Sequence, residues 1–158
     1  VSERLEQIAR LEEERQALTL PAFNADIAWA IGTHIRDRAS AEKFPIAIEV
    51  SGIGGRLFFA SMPGASPDNA EWIRRKRNVV ERFFESSLLV TLRCDERGRK
   101  IPEQFKLSEA DFVHSGGGVA IRTKDSGFVG CVTVSGLTQY QDHTLGADAL
   151  RALIASWK

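Results

Sequence analysis

Pro45-Ile46-Ala47-Ile48-Glu49-Val50, then Ser51-Gly52-Ile53-Gly54-Gly55, then Arg56-Leu57-Phe58-Phe59-Ala60, is the stretch whose reading decides the fold. Two short runs of β-branched, aromatic and aliphatic residues are joined by a glycine-rich turn, which is the signature of a β-hairpin. The pattern recurs near the other end of the chain. There Val119 to Arg122 and Phe128 to Ser135 flank Lys124-Asp125-Ser126-Gly127. Hairpins make antiparallel neighbours, whereas parallel strands need a crossover of a dozen or more residues.

Helical patterns surround both hairpins. From Ser2 to Ala17 the residues Leu5, Ile8, Leu11 and, just beyond, Leu18 recur at helical spacing among Glu and Arg, behind a serine suited to cap the helix. Leu20-Pro21-Ala22-Phe23 breaks that helix, and Asn24 is placed to cap a second one with Ile27, Ala28, Ile31 and Ile35 along one face. Trp29 falls on the opposite face, where an exposed indole reads either as incidental or as a contact with another chain.

Ser66-Pro67-Asp68 opens a third helix with a capping hydroxyl, a proline at the first helical position and an acid in the first turn. It is expected to reach at least Phe84. Ser87 to Leu92 suits either its continuation or a strand, and continuation is preferred. A polar connection from Asp95 to Gln104, a short helix opened by Ser108 and a final helix beginning near Asp142 complete the reading. The whole predicts one α+β domain over residues 1–158, an antiparallel sheet flanked by helices rather than a doubly wound parallel sheet.

Composition narrows the function classes. The 21 basic and 21 acidic residues cancel, so the basic excess of a general nucleic-acid binder is missing. No window approaches the ~18 apolar residues of a membrane span, and the charged, helical start is unlike a signal sequence, which predicts a cytoplasmic location. Cys94 and Cys131 stand far apart with no Cys or His at zinc-site spacing. They read as two buried thiols, with neither a disulfide framework nor a metal site.

Lys76 lies at about 40° on a helical wheel that starts at Trp72, inside an arc made by Val79, Phe83, Val80, Ile73 and Phe84. A lysine there either runs its stem to water or keeps its charge near a carboxylate, carbonyls or an anionic ligand. Arg74, Arg75, Arg77 and Arg82 surround it, as a solvated face or as partners for acids across a subunit interface. His34 borders the stripe of the second helix and His114 precedes a run of glycines. Asp142 reads as the cap of the last helix, with His143 in its first turn. The positive end of a helix favours a neutral imidazole, which can act as a base or an axial ligand. Gly116-Gly117-Gly118 lacks the Lys-Ser/Thr of a phosphate loop and precedes a strand, so tight turning or close packing explains it better. Ser135-Gly136 lacks the Gly-x-Ser-x-Gly pattern of a serine hydrolase.

Taken in order, Pro45 to Val50, Gly54-Gly55-Arg56-Leu57-Phe58-Phe59, Gly116-Gly117-Gly118-Val119-Ala120-Ile121 and Gly127 to Gly136 resemble the haem-degrading-domain family that includes the GlcG and HbpS proteins. The central Asp68 to Val80 segment with its Trp72-Ile73-Arg74-Arg75-Lys76-Arg77 core, Ser86-Ser87 and Asp142-His143 look like one branch of that family. The resemblance covers roughly Pro21 to Leu153. It implies a profilin-like sheet of about five antiparallel strands, assembly into dimers or rings, and haem as a ligand class, since some members are reported to bind or degrade haem. It matches Lys76 to a lysine of the family's central helix, and no haem-ligating residue carries over by motif. Where the wider family has an Asp just after the first strand, this chain has Glu49-Val50-Ser51. Two function classes follow: a small-ligand binder in which Lys76 and His143 are the ligand-binding candidates, and a non-catalytic oligomeric scaffold in which Trp29, Arg74 and Arg75 are the interface candidates.

Overall fold

The first hairpin folds as its glycines require. Strand β1 (Ala47–Gly52) turns through Ile53 and Gly54 into β2 (Gly55–Ser61), and β3 (Gly118–Thr123) turns through Lys124, Asp125 and Ser126 into β4 (Gly127–Ser135). The computed structural model describes residues 2–157. The two hairpins join through β1 and β4 into one antiparallel sheet of order β2-β1-β4-β3.

Four strands stand where about five were expected. Beyond the four strands, Leu20 makes a single parallel bridge to the β3 edge: its N–H donates to the Arg122 carbonyl and its carbonyl accepts from Lys124. Pro21 follows immediately and has no N–H to extend a ladder, so pairing stops there.

The period of two splits the sheet into unlike faces. Ile48, Val50, Val119, Ile121, Val132 and Val134 point to one side and form the main core with α2 (Ala25–Glu42) and α6 (Gln139–Ser156). Ala47, Glu49, Ser51, Cys131, Thr133 and Ser135 alternate with them and lie beneath α3 (Pro67–Phe83). Asn24 caps α2 and Ser2 caps α1 (Glu3–Ala17), as their side chains predict.

Three boundaries depart from the sequence reading. Helix α3 stops at Phe83 because Phe84 takes a left-handed backbone, and a separate helix, α4 (Ser87–Glu96), starts behind the cap Ser86. Phe84 thus leaves the apolar arc and stacks, half exposed, on Phe128. Ser108 opens only a hydrogen-bonded turn, and the short helix α5 (Ile101–Phe105) forms earlier, with Pro102 in its first turn. Helix α6 begins three residues before Asp142, capped by Thr138. Among the described residues no helix is long and apolar enough to cross a membrane.

Candidate ligand-binding site

The face beneath α3 carries a buried layer of charge. Glu49 is fully buried, and Arg56 Nε donates to its Oε2 at 2.9 Å while Arg77 donates to Oε1. Two guanidinium groups thus compensate a carboxylate that the sheet removes from water. Nearby Cys131 meets Thr133 Oγ1 at 3.2 Å, and burial pushes its thiol up to about 12. Burial also raises Cys94. Both thiols are buried, free and protonated at neutral pH, which makes them poor nucleophiles.

Lys76 is 2% exposed, so its charge does not reach water. Its Nζ donates to Asp142 Oδ2 at 3.1 Å and to the Val134 carbonyl at 3.0 Å. Asp142 also accepts from Leu137 N at 3.0 Å, which ties the entry of α6 to α3. Asp142 is therefore not the cap of α6 but the partner of a buried cation. Burial pushes Lys76 down and Asp142 up, each towards its neutral form, against the attraction between them. Gly117 makes room for the pair: its φ is +134°, and a Cβ there would lie 2.6 Å from Lys76 Nζ and from Val134 O.

His143, one residue on, turns away from Lys76. It is 4% exposed, and its Nε2 lies 2.7 Å from Glu14 Oε1, on α1. Arg151 donates to the other oxygen of Glu14. Burial opposes ionisation of Glu14, but the hydrogen bond with His143 and the charge and hydrogen bond of Arg151 outweigh it and hold Glu14 below the ordinary carboxylate range. His143 Nδ1 is buried and has no hydrogen-bond partner among the described residues. The imidazole lines a cleft of about 470 Å³ between α1, α4 and α6, with Leu11, Leu88, Leu92, Tyr140, Arg10 and Arg151 around it. Lys76 and His143 therefore share a stretch of backbone but not a cavity.

The remaining candidates are dispersed. Trp29 is 58% exposed, with its ring edge-on to Phe58 at 5.1 Å. Arg74 binds Glu71 and Asp111, and Arg75 donates to the Glu109 carbonyl while lying over Trp72. His114 accepts from Ile101 N and meets Asp95, and His34 is exposed. Glu49 and Glu14 are the residues that the sequence reading passed over. Glu49 left a trace, since an acid inside an apolar strand must be paired, whereas Glu14 looked like any acid on a surface helix.

Fold and site together define a class: an α+β domain with a helix-covered antiparallel sheet, whose buried charges bind one another and in which His143, with a buried ring nitrogen that has no partner among the described residues, lines a cleft. The model of the HbpS-like haem degrading protein family matches residues 23–151. A UPF0303 protein of Acidobacterium capsulatum is 43% identical over 148 residues, 94% of this chain and 90% of the relative. The crystal structure of the Ybr137w protein superposes with a TM-score of 0.84 at 31% identity, covering 93% of this chain and 87% of that one. A crystal structure described as a PduOC:haem complex shares the fold at 19% identity, TM-score 0.69, covering 84% of this chain and 95% of that one. The chain belongs to the HbpS-like haem degrading protein family.

Proposed function

We propose that this domain binds a small ligand, with haem as the leading candidate, in the cleft between α1, α4 and α6. The observation that carries the reading is His143, which lines that cleft and whose buried Nδ1 has no hydrogen-bond partner among the described residues. An unsatisfied buried acceptor costs about 1–3 kcal/mol, which a ligand atom would recover. The cleft volume falls within the ~300–1,000 Å³ usual for ligand sites.

The residues present fit haem. His143 Nδ1 would take the iron, Leu11, Leu88, Leu92 and Tyr140 would flank the ring, and Arg10 and Arg151 would meet its carboxylates. Nδ1 is out of contact with water, so binding must displace part of the lining. Lys76 supports the site from behind by fixing Asp142 and thereby the part of α6 that presents His143. Support also comes from the family and from the haem complex formed by a protein of the same fold.

Titration with hemin, followed by absorption, tests this reading. Saturation at a fixed ratio per chain, weakened at least about tenfold in His143→Ala, is the expected result. Unsaturable binding that is equal in both proteins would overturn it.

A second reading concerns assembly. We propose that the chain self-associates beside β2, the edge strand, through Trp29 of α2, which packs on Phe58 of β2, and Ile53 of the β1–β2 turn, 58% and 76% exposed. An exposed aromatic ring beside an unpaired strand edge suits contact with a second copy. Arg74 and Arg75 are held by Glu71, Asp111 and the Glu109 carbonyl within the chain and lie on α3, away from that edge. Without ligand chemistry the same assembly would serve as a scaffold. A haem titration that fails while light scattering gives a defined oligomer would select that alternative.

A further inference from the structure

Helix α1, residues Glu3–Ala17, lies outside the stretch matched to the family, which begins at residue 23. It nevertheless supplies Leu11 and Glu14 to the cleft, and Glu14 is the hydrogen-bond partner of His143. An imidazole carries its proton on one nitrogen or the other, and the partner of one nitrogen decides which.

Glu14 has one oxygen on His143 Nε2 and the other on Arg151, and both contacts favour its ionised form. An ionised carboxylate accepts hydrogen bonds and donates none. Nε2 must therefore carry the hydrogen, and the lone pair of a neutral His143 falls on Nδ1, the atom without a partner. A carboxylate behind an imidazole also strengthens it as a metal ligand.

We infer that Glu14 is a positioning residue, which holds His143 in its Nε2–H tautomer and so directs the Nδ1 lone pair to the ligand. The helix added outside the family-matched region thereby sets the ligand class. That nitrogen accepts a transition-metal centre or a hydrogen-bond donor, and it turns away carboxylate and phosphate oxygens. The tautomer stands on the contacts of an ionised Glu14 with a neutral His143 and with Arg151, while the ligand class rests on the proposed cleft site.

The tautomer is read from long-range ¹⁵N–¹H correlations of His143 in the ligand-free full chain at neutral pH. In wild-type protein the expected result is a protonated Nε2 and a bare Nδ1. In Glu14→Leu, where Leu11, Leu88 and Leu92 can receive the new side chain, a mixture of tautomers is expected. The methyl signals of Ile8 report whether α1 stays docked. Should it undock, Glu14→Gln keeps a side chain of the same shape, and its weaker acceptor still lets the second tautomer appear. A proton on Nδ1 in wild-type protein, or an unchanged tautomer in a docked Glu14 variant, would overturn the inference. The ligand arm uses hemin, whose affinity is expected to fall roughly 10–100-fold in Glu14→Leu. Undiminished saturable binding would overturn the ligand-facing role. A chain that binds no hemin but switches tautomer with Glu14 would sink the haem reading and leave the positioning role standing.

Discussion

Lys76→Met removes the ammonium that Asp142 and the Val134 carbonyl share, and leaves a carboxylate buried without its cation. Breaking such a pair costs about 3–5 kcal/mol, less whatever Asp142 recovers by taking up a proton, which burial already favours. Urea unfolding should show that loss in the single variant. Lys76→Met combined with Asp142→Leu should recover most of it, because two apolar groups replace two charges. A hemin titration of the folded double variant then tests contact: retained binding shows that Lys76 does not touch the ligand. Gly117→Ala should perturb the same pair from the other side. Its backbone strain is worth about 1–3 kcal/mol, and its Cβ would collide with the ammonium. An unchanged unfolding midpoint in Gly117→Ala would contradict that account.

Helix α1 packs on the rest of the domain mainly through α4 and α6. Ile8 and Leu11 pack on Leu88, Leu89 and Leu92 of α4, and the remaining ties are ion pairs such as Arg93 with Glu12 and Arg15 with Glu85. Exposed pairs of this kind contribute roughly 0–1 kcal/mol each. Glu14 is the better-placed tie, and its sign with pH is definite. Its folded-state value lies below the ordinary 4.5, so its contribution is present above that pH and is lost as pH falls through the depressed value. Asp142 behaves in the opposite sense, since its value is raised and acid relieves the cost of its buried charge. Acid should therefore free α1 before it opens the junction of α3 with α6. Hydrogen exchange below pH 4.5 should show protection lost in Glu3–Ala17 while β1 and β4 keep theirs. Simultaneous loss in all three would show that α1 is not a separate unit.

At the scale of the whole molecule, the sheet is covered on one face by α2 and α6 and on the other by α3, while the outer edge of β2 stays open. Gly32 lets the Phe58 ring lie against α2, since a Cβ there would sit 2.3 Å from it, and this packing props Trp29 outward. Trp29→Arg should then reduce the mass measured by light scattering without altering the unfolding free energy by more than about 1 kcal/mol, as befits an exposed site. A wild-type chain that is monomeric at micromolar concentration would remove the assembly reading altogether.

Local chemistry made most of the fold legible. The glycine turns at Gly54-Gly55 and Gly127 marked the hairpins, and Ser2, Asn24 and Ser66 marked three helix starts, because these signals act within a few residues. Thr138 was passed over for Asp142, since an acid before an apolar run looks like a cap until its carboxylate is seen bound to Lys76. The strand count and the break at Phe84 depended on neighbours distant in sequence: the edge of β3 that Leu20 meets once, and the Phe128 ring on which Phe84 stacks. Lys76 and His143 were readable as residues out of keeping with their surroundings. What each one faces was not, because the partners lie 66 and 129 positions away. By itself the sequence determined where hairpins and helices form, since backbone geometry and capping are local. Only the tertiary structure decided that one buried cation is spent on Asp142 while one imidazole nitrogen is left free, because burial and pairing arise from packing between distant segments.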